Sequence, residues 1–113
     1  ISQATAAACA ATIEVREIDR VIVVGQTQSQ TIFEIMAAKG ELAPDQARLR
    51  DRYHEGLAAY RERLWDIALA AFAAALEIAP ADGPSTAMVA RIEDLKRNPP
   101  PAGWDGSWRL ERK

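Results

Sequence analysis

Apolar residues recur along this chain with two different periods. From Leu49 onward they fall at Leu49, Tyr53, Leu57, Tyr60 and Leu64, three or four positions apart. That spacing lays one apolar stripe along a helix. It predicts a helix over 44–63, with Pro44 and Asp45 suited to its first turn. The opposite face carries Arg48, Asp51, Arg52, Glu55, Arg61 and Glu62. Such mixed charges make a solvated face with weak ion pairs; the alternative is that Arg48 and Arg52 hold an anion. A second helix is predicted over 65–79, and it is apolar on more than one side. Trp65, Ala68, Leu69, Phe72, Leu76 and Ala79 form one face, and Ile67, Ala71, Ala74 and Ile78 another. A helix apolar nearly all round is sandwiched between neighbours. Asp82-Gly83-Pro84 starts a third helix running to Arg97, with Met88, Val89, Ile92 and Leu95 in register as the second cover.

Upstream the period drops to two. After a short alanine-rich helix over 2–11, capped by Ser2, Ile13 and Val15 alternate with Glu14 and Arg16. Ile18, Arg20, Ile22 and Val24 then share one strand face, and Asp19, Val21 and Val23 the other. Gly25 to Ser29 is a polar turn. Gln30 to Met36 returns as a second strand, with Phe33 and Ile35 on one face and Ile32 and Met36 on the other. A lone hairpin with two apolar faces is not stable in water. The expectation is therefore that more sheet comes from residues upstream or from a partner chain, or that the helices replace it. The start at Ile1-Ser2-Gln3, without methionine, adds the expectation that the chain is cut from a longer protein.

Lys39 to Ala43 is a linker, and Pro99-Pro100-Pro101 is extended. The tail that follows holds two of the three tryptophans, Trp104 and Trp108. Two readings stand: both pack back on the helices and cap them, or both anchor a partner protein. The expected organisation is 1–40 as helix plus hairpin, 41–98 as helices, and 99–113 as a tail packed on them.

Composition narrows the function. With 14 basic and 16 acidic residues the net charge is −2, so no field favours nucleic acid or an anionic membrane. No apolar run approaches the roughly 20 residues needed to span a bilayer. The single Cys9 excludes an internal disulfide, fits a reducing cytoplasmic compartment, and reads as a small packing residue. His54 is the only histidine, and no Cys or His cluster has metal-ligand spacing. Glu14, Glu17 and Asp19 read as a solvated strand edge, the alternative being metal ligands completed by other groups. No catalytic, cofactor-binding or metal-binding residue is expected within this chain.

Two resemblances add to this reading. Gly56, Trp65, Ala68, Phe72, Ala75 and Pro80, within Leu49 to Asp82, resemble one tetratricopeptide repeat, where small residues let two helices touch and one aromatic fills the gap. The order Ile1-Ser2-Gln3-Ala4-Thr5-Ala6, Arg16-Glu17-Ile18-Asp19-Arg20-Val21, Val24-Gly25-Gln26 and Thr31-Ile32-Phe33-Glu34 resembles the closing segment of class III adenylate/guanylate cyclase catalytic domains. Asp82 and the proline-rich Trp-Asp-Gly tail from Pro99 to Lys113 are similar to the C-terminal extensions of a bacterial subset of that family.

The resemblance implies a mainly α fold, with a tetratricopeptide-like helical hairpin and capping helix preceded by the last helix and β-hairpin of an α/β cyclase domain. It implies a parent enzyme that converts ATP, with Mg or Mn, to cyclic AMP and pyrophosphate as a head-to-head dimer. The family's metal-binding aspartates and its asparagine–arginine pair precede the matched segment, so none falls on this chain. A family lysine that contacts the triphosphate corresponds to Val24 or Gln26, neither of them cationic. The expected partners are a second copy, through Val21–Val24 and Phe33–Ile35, and a protein regulator. The alternative is a free-standing tetratricopeptide-type interaction module.

Overall fold

The computed structural model describes residues 1–110, so the last three residues of the tail, Glu111 to Lys113, lie outside the described residues. The chain divides into two compact units: Ile1–Ala43 with the chain from Gly106 on, and Pro44–Asp105.

The helical unit holds α2 (Pro44–Arg61), α3 (Trp65–Ile78) and α4 (Gly83–Arg97). Leu49, Tyr53, Leu57 and Tyr60 of the α2 stripe are all buried. Leu64, assigned to the same stripe, is 48% exposed, because α2 stops at Arg61 and the backbone turns left-handed at Arg63, with φ 62°. On α3 the buried residues are Ala68, Phe72 and Ala75, three or four apart. Phe72 lies edge-on to Tyr53, with ring centroids 5.1 Å apart. A Cβ placed on Gly56 would come within 2.6–2.8 Å of three Phe72 ring atoms. Only glycine fits there. The helices therefore touch where the sequence puts its smallest residue opposite its aromatic knob. Pro80 is exposed in the turn after α3. Asp82 caps α4: its carboxylate accepts from the Ser85 backbone N–H at 3.2 Å and from the Ser85 hydroxyl at 2.6 Å. Met88, Ile92 and Leu95 of α4 complete the buried set.

The other unit holds α1 (Gln3–Ala8), β1 (Ile13–Ile22), β2 (Ser29–Ala38) and β3 (Trp108–Arg109), with sheet order β2-β1-β3. The Ser2 hydroxyl caps α1 by accepting from the Thr5 N–H at 3.2 Å. β1 and β2 pair antiparallel, and the turn between them places Gly25 at φ 84°. The outer side of β2 meets the start of the chain. The Phe33 N–H donates to the Ile1 carbonyl at 2.8 Å, and the Ile1 amine donates to the Phe33 carbonyl at 2.6 Å.

Two irregularities change the hairpin's faces. The register slips between Glu14 and Val15 and again between Glu17 and Asp19. The second slip leaves Ile18 as an extra residue and reverses the alternation beyond it. Arg16 therefore comes onto the same side as Asp19 and Val21, and all three are buried. The simple alternation read from the sequence fails here, and Asp19, expected on a solvated edge, is 8% exposed. Arg16, 1% exposed, stands opposite Glu34 and donates to its carboxylate at 2.7 Å.

The expectation of a mainly α fold is corrected: among the described residues helix accounts for 48% and strand for 21%, so the chain is an α and β protein. The sheet is larger than expected because the chain supplies a third strand itself. That strand lies in the tail, and the tail is divided. Its part up to Asp105 belongs with the helices, and its part from Gly106 belongs with the sheet. Among the described residues, no helix is long and apolar enough to cross a membrane.

Two stability predictions follow from these contacts. Gly56→Ala should destabilise the protein by about 1–3 kcal/mol, the range for overpacking a filled core. Adding Phe72→Leu should restore part of the loss, as read from urea unfolding midpoints; a Gly56→Ala variant as stable as the parent would show that the helices part freely. Glu34→Ala should cost about 1–3 kcal/mol by removing a carboxylate from a buried guanidinium. An unchanged midpoint would mean that Arg16 is held without it.

Candidate functional site

The turn after α2 is the most unusual local structure in the helical unit. The Leu64 N–H reaches back to the Ala59 carbonyl at 2.9 Å, and the Arg63 N–H to the Tyr60 carbonyl at 3.1 Å. These paired bonds are a Schellman helix ending, and the left-handed residue they require is usually glycine. Here it is Arg63, a residue whose Cβ makes that conformation costly.

The arginine side chain is used. Its guanidinium donates to the Pro100 carbonyl at 3.0 Å and also to the Pro101 carbonyl. The same group lies over the Trp104 ring, 5.7 Å from its centroid. Trp104 in turn packs edge-on against Tyr60 at 5.2 Å and lies tilted against Trp65 at 6.0 Å. Arg63 thus binds the proline run through its carbonyls, which a prolyl backbone offers without any N–H of its own. Around this clasp a shallow depression of about 320 Å³ is lined by Arg63, Leu64, Trp65, Asp66, Ile67 and Lys96. Leu64 and Ile67 are 48% and 61% exposed, and Lys96 pairs with Asp66 at 2.8 Å. The combination of apolar side chains, a half-buried tryptophan and a mixed-charge rim suits contact with a protein surface.

The two tail tryptophans, expected to act together, are in different settings. Trp104 packs on the helical unit, while Trp108 is half-buried in β3 beside Val21. Gly56, Ala68, Phe72 and Ala75 are buried in the helical core, Trp65 is half-buried beside Trp104, and Pro80 is exposed. Arg48 and Arg52 pair with Asp45 and Glu55 on the solvated face of α2. His54 is exposed, and Cys9 is a half-buried free thiol. Glu14 accepts from the Gly40 N–H at 3.1 Å. Among the described residues, no group of three or more His, Cys, Asp or Glu side chains is placed to hold a metal ion. Val24 is 43% exposed, and Gln26 accepts from Gln30 at 3.3 Å in the same hairpin turn.

The sequence reads Leu64 and Ile67 as packing positions of the two helices and residue 63 only as a helix end, so none of them is expected at a surface site. The helix ends there without glycine or proline, so the break in the apolar pattern marks the turn but nothing marks its left-handed residue. Against protein-family models, curated proteins and solved structures, the chain has no match.

Arg63 makes a prediction with an internal control. Arg63→Ala loses the clasp and keeps the left-handed strain, whereas Arg63→Gly loses the clasp and relieves the strain. The glycine variant should be more stable than the alanine variant by about 1 kcal/mol, and both should show altered Trp104 fluorescence. Equal stability of the two would mean that Arg63 bears no backbone strain.

Proposed function

We propose that this chain is the C-terminal region of a bacterial class III nucleotide cyclase. In this reading residues 1–40 close the catalytic domain, and the helical unit is an extension that positions or dimerises catalytic domains or receives a protein regulator. The observation that carries it is the order of four sequence segments, which resembles the end of that domain. Ile1 to Ala6 leads into α1. Arg16 to Val21 lies on β1, Val24-Gly25-Gln26 in the turn, and Thr31 to Glu34 on β2. The close approach of Gly56 and Phe72 supports the likeness of α2 and α3 to a tetratricopeptide helix pair. The parent would act on ATP or GTP with Mg or Mn, in signal transduction on the cytoplasmic side, and this region alone would be inactive. A neutral hairpin turn at Val24 and Gln26 forgoes one charge-assisted phosphate contact, worth about 1.5–3 kcal/mol.

The test is on the parent protein. Its upstream sequence must supply two metal-binding aspartates and an asparagine–arginine pair, and with Mn and ATP it must release cyclic AMP. Removing the helical extension should change that rate at least several-fold. A parent without those residues, or without cyclic nucleotide formation from ATP or GTP, would overturn the reading. That result would favour the second one, a protein-interaction module, which the exposed Leu64 and Ile67 beside Trp65 support.

A further inference from the structure

Among the described residues of the helical unit, two large apolar side chains stand in solvent: Leu64 and Ile67. They flank the start of α3 and line the depression there with Arg63, Trp65, Asp66 and Lys96. That helix start also lacks a cap. Its N-cap residue is Leu64, which has no side-chain acceptor, and no side chain bonds to the first turn. α4, by contrast, is capped by Asp82. The first α3 amide with a partner is that of Ala68, which donates to the Leu64 carbonyl at 2.9 Å. The N–H groups of Trp65, Asp66 and Ile67 therefore have no partner among the described residues. The charge at this place is positive. Arg63 and Lys96 stand against Asp66 alone, and α3 adds the positive end of its dipole. The Lys96 ammonium gives one donor to Asp66 at 2.8 Å and keeps two more.

We propose that the start of α3 is a docking site for an acidic segment of a partner protein, one that carries a bulky aliphatic side chain beside a carboxylate. The carboxylate accepts from the open amides of Trp65 to Ile67 and from Lys96, as anions do at helix starts. The aliphatic side chain covers Leu64 and Ile67. A free anion would leave that apolar pair in water. A purely apolar segment would leave the amides and Lys96 without an acceptor. At about 320 Å³ the depression has room for one anchor side chain and its carboxylate neighbour. This inference does not rest on the cyclase reading, which can fail with this surface intact.

The probe is the peptide acetyl-Glu-Leu-Asp-Leu-Glu-amide, titrated into the full chain and followed by NMR at the amides of Trp65, Asp66 and Ile67. Saturable shifts at those amides are expected. Two control peptides should each bind at least ten-fold more weakly: acetyl-Gln-Leu-Asn-Leu-Gln-amide, which has no charge, and acetyl-Glu-Ala-Asp-Ala-Glu-amide, which has no bulky anchor. Ile67→Ser, at an exposed position, should weaken the first peptide at least five-fold. Leu64→Asp places a capping carboxylate on the open amides. It should raise the thermal unfolding midpoint while weakening the first peptide at least ten-fold, a loss that failure to fold cannot explain. Absence of saturable shifts at the three amides overturns the proposal. So does equal binding of either control peptide, and so does a Leu64→Asp chain that binds as tightly as the parent.

Discussion

The contact between Gly56 and Phe72 sets the geometry of the helical unit. A side chain at position 56 would run into a ring that is fully buried. Two helices that approach this closely bury Tyr53, Leu57 and Tyr60 from one side and Ala68, Phe72 and Ala75 from the other. α4 then adds Met88, Ile92 and Leu95. Among the described residues, nearly all of the large buried apolar side chains belong to this one unit, and burial of that kind is what offsets the entropy of ordering a chain.

The sheet unit is built differently. Its buried apolar residues are Ala6 and Val21, accompanied by the buried polar residues Arg16, Asp19 and Ser107. Large apolar groups stay in contact with solvent, Ile35 at 53% and Val24 at 43% among them. Backbone pairing carries much of this unit: the β1–β2 ladder, the Ile1–Phe33 bonds and the short pairing with β3. A buried guanidinium held by a half-exposed carboxylate adds little net stability, because desolvation takes back much of the Coulomb gain, but it is costly to break from one side.

How much of this the sequence discloses depends on the kind of signal. The helices are legible because a stripe of Leu49, Tyr53, Leu57 and Tyr60 has one period and one meaning. Asp82 before Gly83-Pro84 marks the start of α4 for an equally local reason, an acceptor placed for the first free N–H groups. The hairpin is legible as two strands, but its faces are not. A single extra residue at Ile18 reverses the alternation, and no residue type announces a bulge there. The third strand escapes altogether, since two residues of pairing with a partner almost ninety positions away leave no periodic trace. The clasp at Arg63 escapes for the same reason, because its carbonyl acceptors lie 37 and 38 residues downstream. Local rules find what local residues decide, and the candidate surface is made by distant segments.

The chain thus combines a helical unit with a true apolar core and a sheet unit held mainly by backbone pairing. Residue-resolved hydrogen exchange under native conditions tests this most directly. Two tiers of protection are expected. Amides of α2 and α3 around Tyr53, Leu57, Phe72 and Ala75 should exchange only on global unfolding, and those of β1 and β2 should open more readily by local fluctuation. Hairpin amides protected as strongly as the helical ones would contradict it.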